Sequence, residues 1–192
     1  MTKNKITRHR DYLIWIDLEM SGLDLPKDVI LEVAVIITNN QLHILAEGPS
    51  LVIHHPDEVL ATMNEWCIKQ HGLSGLTQRV KESSLTLGDV EKRLIDFLKP
   101  YISEGQGVIC GNSVWQDKAF IQKYMPNLDQ LLHYKIIDVS SIKEVVLRWY
   151  PKNPLIEFKK QDTHRALTDI RESIEELKYY RKHFFISEPD LQ

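Results

Sequence analysis

The apolar positions along the chain change their period as the sequence proceeds. Tyr12 to Ile16 is a run of five apolar or aromatic residues that leads into Asp17-Leu18-Glu19-Met20, and it predicts a first strand closed by the turn Ser21-Gly22-Leu23. Leu23 to Asp28 contains Pro26 and reads as a loop. Val29 to Thr38 is β-branched and nearly continuously apolar, which predicts a central strand buried on both faces. Asn39-Asn40 predicts a two-residue hairpin turn, since asparagine tolerates positive φ. Gln41 to His54 then predicts the returning strand, bent near Gly48-Pro49. Three strands joined by short turns make an antiparallel meander.

A helical period follows. Asp57 to His71 spaces Val59, Leu60, Met63, Trp66 and Cys67 by three and four residues, and Gly72 to Gly75 breaks that pattern. Leu87 to Ile102 predicts a second amphipathic helix through Val90, Leu94, Phe97 and Leu98, interrupted at Pro100. Gly107 to Gly111 reads as a short buried parallel strand, and Trp115 to Tyr124 as a helix that stops before Pro126. Tyr134 to Val139 predicts another strand, with Ser140-Ser141 capping a helix to Tyr150. The last helix starts near His164 and reaches about His183. Strands in a meander, then strands alternating with helices, predict an α/β or α+β domain of three layers around a mixed sheet. No repeat or linker divides it, so residues 12–185 read as a single domain between a flexible segment, 1–11, and a tail, 186–192.

Composition adds little to this picture. The chain is 43% hydrophobic and 27% charged over 192 residues, enough for a core without disulfides. No apolar run approaches the ~18 residues of a membrane span, and Met1 to Asp11 lacks the apolar stretch of a secretory signal. Cys67 and Cys110 have no metal or redox spacing and read as reduced thiols in a cytoplasmic protein. Charge narrows the function more. A net charge of −3 leaves no broad basic footprint, so a nucleic-acid substrate would have to be short and held by few phosphate contacts.

The candidate chemistry begins at the end of the first strand. Asp17 and Glu19 are two apart and share a face. Burying two carboxylates beside an apolar run is costly without a partner, and a divalent cation is the simplest one. Oxygen ligands of this kind suit Mg²⁺ or Mn²⁺ rather than zinc. An isolated Asp-x-Glu is ordinarily a solvated strand end. Asp117, however, falls where a helix follows a later strand, the sheet end at which ligands bind. Alone it would be a first-turn carboxylate favouring the helix dipole. Asp169 lies about 120° from the centre of the stripe Leu167, Ile170, Ile174 and Leu177, so it flanks the core-facing side of the last helix. His164 precedes it by five residues, at the helix entrance. His9, His54, His55 and His183 read as structural or surface residues.

Asp17-x-Glu19 on a strand, Asp117 at a strand-to-helix junction and His164 with Asp169 at the last helix resemble the histidine-containing branch of the DEDD exonuclease superfamily. The stretches IWIDLEMSGLD, LAEGP, CGNSVWQD, KYMP, HYKIIDVSSIKE and KQDTHRALTDIRESIEELKYYRKHF are similar, in the same order, to the oligoribonuclease family. The four acids with the histidine carry the superfamily; the GNSxxQD pattern and the HY–DVSS segment point to oligoribonuclease. The resemblance covers nearly the whole chain.

That resemblance implies a ribonuclease H-like three-layer fold with a roughly five-stranded mixed sheet. It also implies hydrolysis of the 3′-terminal phosphodiester of very short oligoribonucleotides, dinucleotides included, to 5′-mononucleotides. Two Mg²⁺ or Mn²⁺ ions roughly 4 Å apart would activate water and stabilise the leaving oxygen. Asp17 would bridge the ions, Glu19 and Asp169 would hold the nucleophile-side ion, and Asp117 would act through the second. His164, whose unperturbed pKa is near 6.5, would take the proton from the attacking water. Leu23 and Trp66 resemble the pair that wedges and stacks the terminal bases, against the alternative of Trp66 as a core aromatic. His71 resembles a contact to the 3′ region of the substrate, against the alternative of a helix C-terminal histidine. Ser113, Lys135, Ser140 and Lys143 match a 5′-phosphate cap, with Lys135 replacing the usual arginine and its bidentate fork. Tyr134 resembles a tyrosine that reaches into the partner subunit's site, which implies a homodimer; the alternative is a core strand tyrosine. Two other readings stand beside this one: a related exonuclease trimming longer RNA or DNA, and a catalytically silent nucleotide-binding protein, which the presence of all five residues disfavours.

Overall fold

The computed structural model describes residues 11–159 and 165–186. His164, most of the expected N-terminal segment and most of the tail lie outside the described residues. Strand β1 (Tyr12–Met20) is the centre of a five-stranded sheet. Strands β2 (Ile30–Asn39) and β3 (Ile44–Val52) pair antiparallel on one side of it, and β4 (Gly107–Gly111) and β5 (Leu132–Asp138) run parallel on the other. The order is β3-β2-β1-β4-β5, the mixed α/β sheet that the meander and the later alternation predict.

The period of two sorts β1 between two cores. Ile14, Ile16, Leu18 and Met20 join Val33, Val35 and Ile37 of β2 on one face. Against them lie α4 (Leu87–Leu98), α5 (Val114–Tyr124) and α6 (Pro126–Asp129), through Val90, Leu94, Phe120, Ile121 and Leu128. Leu13 and Trp15 join Ala34 and Ile36 on the other face, covered by α7 (Val139–Trp149) and α8 (Ala166–Phe184) through Val146, Ile170, Ile174 and Tyr180. The same alternation points Asp17 and Glu19 toward the α8 side.

Between β3 and α4 the structure departs from the expected single helix. Two helices occupy it, α1 (Asp57–Leu60) and α2 (Glu65–Leu73), because the Asn64 side chain accepts from Cys67 N at 2.8 Å and starts the chain afresh. A third, α3 (Leu76–Glu82), follows Gly75 and was not anticipated. Its Leu76 and Val80 pack with Leu31, Leu60, Met63 and Cys67 in a third small core. Helix α4 ends at Leu98 rather than Ile102: Lys99 is still helical, and Pro100, which has no N–H, cannot continue the ladder. The hairpin between β2 and β3 is longer than two residues. Asn39 accepts from Gln41 N and His43 N with its side chain, and the left-handed residue is Leu42, φ 67°, rather than an asparagine. Leu42 adopts that conformation because its side chain enters the α8-side core.

Candidate active site

Asp17, Glu19 and Asp169 meet at the C-terminal end of β1. One carboxylate oxygen from each lies within 4.8 Å of the others. β1 supplies two of them through its pleat, and the first turn of α8, laid across β1 and β2, supplies the third. Asp117 approaches from the opposite side of the strand, on the first turn of α5, where its Oδ1 accepts from Leu18 N at 2.9 Å. β4 pairs with β1 only as far as Trp15, so Leu18 N has no ladder partner and the aspartate takes its place.

The electrostatics of this cluster are unbalanced. Burial, and then the charges of Asp117, Glu19, Asp169 and Glu32, hold Asp17 well above the ordinary carboxyl range. Burial together with Asp169 and Glu32 pushes Glu19 up to about 7, against the pull of Arg79. Burial pushes Asp117 up to about 7 despite the hydrogen bond from Leu18 N. Carboxylates forced together in this way carry the oxygen donors that a hard divalent cation takes, and such a cation would remove their repulsion. The donor set fits.

Sequence reasoning missed the group beside them. Glu32 sits directly across from Glu19 in the β1–β2 register and is buried. Arg79 of α3 binds it with both nitrogens, Nη1 to Oε1 at 2.7 Å and Nη2 to Oε2 at 3.0 Å, and Ser50 Oγ donates to Oε1 at 2.7 Å. The available signal was the glutamate itself: a lone charge within an apolar strand requires a buried partner.

A cleft of ≈ 370 Å³ opens next to Glu19, lined by Leu23, Asn64, Trp66, Cys67 and His71 among others. Leu23 is 63% exposed and Trp66 60%, so Trp66 is not a core aromatic. His71, in the last turn of α2, is buried; its Nε2 lies 2.9 Å from Met20 O and its Nδ1 3.9 Å from Glu19 Oε2. It ties the α2 wall of the cleft to the end of β1.

Ser113 and Ser140 come together on the β5 side, with hydroxyls 3.2 Å apart. Ser113 is left-handed, φ 51°, and its N–H points at Asp138 Oδ1 and Ser140 Oγ, both at 3.0 Å. The cap of α7 is Asp138, which accepts from Ser140 N at 2.9 Å, rather than Ser140-Ser141. That releases the Ser140 hydroxyl to donate to Asn112 Oδ1 at 3.1 Å. Asn112 Nδ2 in turn donates to Ser173 Oγ at 2.7 Å, and Ser173 Oγ donates to Asp169 O at 2.8 Å. Asn112 and Asp138, which the sequence offered only as letters of family motifs, and Ser173, which it did not single out, thus link the serine pair to the turn that carries Asp169. Lys143 is one turn beyond Ser140. Lys135 is exposed on β5, with Nζ 5.6 Å from the Tyr134 ring centroid. Tyr134 is 79% exposed on this edge strand, so it is not a core tyrosine.

The comparisons with known proteins follow the same line. The RNase T exonuclease family matches residues 14–177. The chain is 53% identical over 175 residues to the oligoribonuclease of Marinobacter nauticus, spanning 91% of this chain and 97% of that one. It is 56% identical over 172 residues to the oligoribonuclease of Actinobacillus pleuropneumoniae serotype 5b, spanning 90% and 93%. Its fold overlays exonuclease I from Methylocaldum szegediense with a TM-score of 0.71 at 16% identity. It overlays a zinc-bound E. coli exonuclease I complex with single-stranded DNA at 0.69 and 12% identity. The chain spans 41% of the length of each of those two structures. With relatives matched over about nine-tenths of its length and the exonuclease family model across its sheet and helices, the chain belongs to the oligoribonuclease family of exonucleases, which are nuclease hydrolases.

Proposed function

We propose that the chain is a 3′-to-5′ exoribonuclease that removes 5′-mononucleotides from RNAs of two to about five residues, dinucleotides included. The observation that carries this reading is the meeting of Asp17, Glu19 and Asp169 beside a cleft walled by exposed Leu23 and Trp66. Asp17, Glu19, Asp117 and Asp169 would hold two divalent ions, Mg²⁺ or Mn²⁺. When bound, the ions supply the positive charge that activates a water and stabilises the leaving 3′-oxygen. His164 accepts the proton of that water at a ring nitrogen as its oxygen attacks phosphorus. The departing 3′-oxygen takes up a proton, leaving a shortened RNA with a free 3′-hydroxyl and a 5′-mononucleotide. Leu23 and Trp66 bracket the terminal bases, and His71 faces the 3′ region.

Ser113, Lys135, Ser140 and Lys143 close the other end of the site on the 5′-phosphate. The 3.2 Å approach of the two serine hydroxyls supports this cap. Lys135 contributes charge without an arginine's fork. The exposed ring of Tyr134 supports its reaching into a second copy, in a homodimer working in the cytoplasm. Among the described residues no helix is long and apolar enough to cross a membrane.

A cleavage assay with 5′-phosphorylated RNAs of two, five and twenty nucleotides tests the reading, with Asp117→Ala and EDTA as controls. Rapid turnover of the dinucleotide with the 20-mer nearly untouched is expected. Equal or faster attack on the 20-mer removes the 5′ cap but keeps the exonuclease. No metal-dependent cleavage at any length removes both.

A further inference from the structure

Lys123-Tyr124-Met125-Pro126 is one of the stretches by which the chain resembles its family, yet none of the chemistry above uses it. Its first two side chains cross the molecule to the loop that carries Leu23. The Tyr124 hydroxyl donates to Asp28 O at 2.6 Å, and Lys123 Nζ donates to Leu25 O at 2.5 Å. Lys123 Nζ also donates to the Tyr124 hydroxyl at 2.8 Å, which leaves that hydroxyl's own proton for Asp28. The ammonium lies 4.4 Å from the tyrosine ring centroid.

The loop they hold is folded on one carboxylate. Asp28 accepts from Ser21 Oγ and from Asp24 N, each at 2.8 Å, and Ser21 Oγ accepts from Val29 N at 3.1 Å. A Cβ at Gly22 would collide with the Asp28 carboxyl, so glycine is what lets that group close over the turn. The result is an ordered ring of backbone with an exposed leucine, Leu23, at its rim.

Both ends of α5 therefore touch the site. Its first turn carries Asp117, bonded to Leu18 N at the acid cluster. Its last turn carries Lys123 and Tyr124, bonded to the Leu23 loop. Phe120 and Ile121 between them are buried, and Phe120 stacks on Tyr124 at 5.9 Å between ring centroids. Asp117 and Tyr124 are about 10 Å apart along a rigid helix at 1.5 Å per residue. An exposed side chain on a loop contributes more affinity when its backbone is already ordered, because binding then costs less ordering entropy.

We propose that Tyr124, aided by Lys123, is a positioning residue for the substrate: it fixes the Leu23 wall of the base cleft relative to the acid cluster and so sets affinity for the terminal base. This rests on the base-cleft reading of Leu23 given above. An interaction present equally in the bound ground state and the transition state moves KM and leaves kcat alone.

The test is steady-state kinetics on a 5′-phosphorylated diribonucleotide for the wild type, Tyr124→Phe, Leu23→Ala and the double variant. Tm and the Mn²⁺ concentration for half activity are measured for each. Tyr124→Phe deletes only the hydroxyl and keeps the ring in place. It should raise KM ~3- to 10-fold, the worth of one hydrogen bond, with kcat within about twofold and the Mn²⁺ requirement unchanged. On the Leu23→Ala background it should raise KM no further, because the two act as one unit. Lys123→Met should move KM in the same direction by less, and it serves as the probe if Tyr124→Phe fails to fold. An unchanged KM, a fall in kcat at constant KM, or the same factor on both backgrounds overturns the proposal. If Leu23→Ala alone leaves KM unchanged, the base-cleft reading fails first, and this proposal fails with it.

Discussion

Glu19 and Glu32 face each other across the β1–β2 ladder, on the same face of the sheet, and they have opposite surroundings. Glu32 is buried and fully served, with Arg79 on both oxygens and Ser50 on one of them. Glu19 has Asp17 two residues away and Asp169 nearby, and the histidine nitrogen facing it is 3.9 Å off. The fold has thus spent its arginine on the structural glutamate and left the other among like charges. A protein that compensated both would be more stable and would have less need of a cation. The difference separates a carboxylate that is compensated within the sheet from those that, on the reading proposed above, are left for a ligand.

The largest expected effect comes from removing a reserved carboxylate. Asp17→Asn should lower kcat/KM on a dinucleotide by about 10³-fold or more, since the ions it would hold would supply several kcal/mol of charge stabilisation. Its thermal unfolding in EDTA at pH 8 should nevertheless occur at higher temperature than that of the wild type, because one of several repelling charges is gone. A lower Tm would mean that Asp17 is compensated within the protein, and the contrast with Glu32 would collapse.

Breaking the compensated side should have the reverse sign. Arg79→Ala leaves Glu32 buried without its cation. A lost partner in a buried pair costs about 3–5 kcal/mol, and the arginine's partial exposure reduces that to about 2–3 kcal/mol here. Urea denaturation in EDTA measures it. Arg79→Ala should lower stability where Asp17→Asn raises it.

Acidity separates the two regions next. Glu19 and Asp117 both stand near 7 in the folded protein and near 4 when unfolded. Raised carboxyl pKa values mean that the folded state binds more protons, so their contribution to stability is complete below about pH 4 and is lost as pH rises through about 7. The metal-free protein should lose stability across that window, and divalent ions should restore it. The rise in Tm on adding Mn²⁺ should be larger at pH 8 than at pH 5.5, because binding at the lower pH must first displace protons. Equal shifts at both pH values would place the ion elsewhere.

What the sequence revealed follows the same division. Strand and helix periods gave Asp17, Glu19 and Asp169 a face and Asp117 a sheet end, but each alone read as an ordinary acid; the family resemblance joined them into one candidate site. The face of Glu32 was equally legible, but its partner was not. Arg79 lies on α3, whose 7 residues are too few to show a period, after a glycine that reads only as a break. The Asn64 cap that divides α1 from α2 was hidden for a related reason, since the apolar spacing runs unbroken through it. Leu42 in the hairpin could not be foreseen at all, because its left-handed backbone is stabilised by a tertiary contact. Local pattern reports faces and termini; it does not report which distant donor arrives.

The finest test of the comparison is Ser50→Ala. Ser50 Oγ gives Glu32 its third hydrogen bond from β3, on the side away from the acid cluster. Without it the Arg79 fork remains, so no charge is stranded, and the loss should be about 0.5–1.5 kcal/mol, the net worth of one bond. Because Glu32 keeps its charge and its arginine, the field at Glu19 should not change. Dinucleotide kcat/KM and the Mn²⁺ concentration for half activity should therefore stay within about twofold of the wild type. A marked weakening of Mn²⁺ binding at intact stability would show that Glu32 moves when one bond is lost and that Glu19 follows it. The two glutamates would then be a single mechanical unit rather than a compensated residue beside a reserved one.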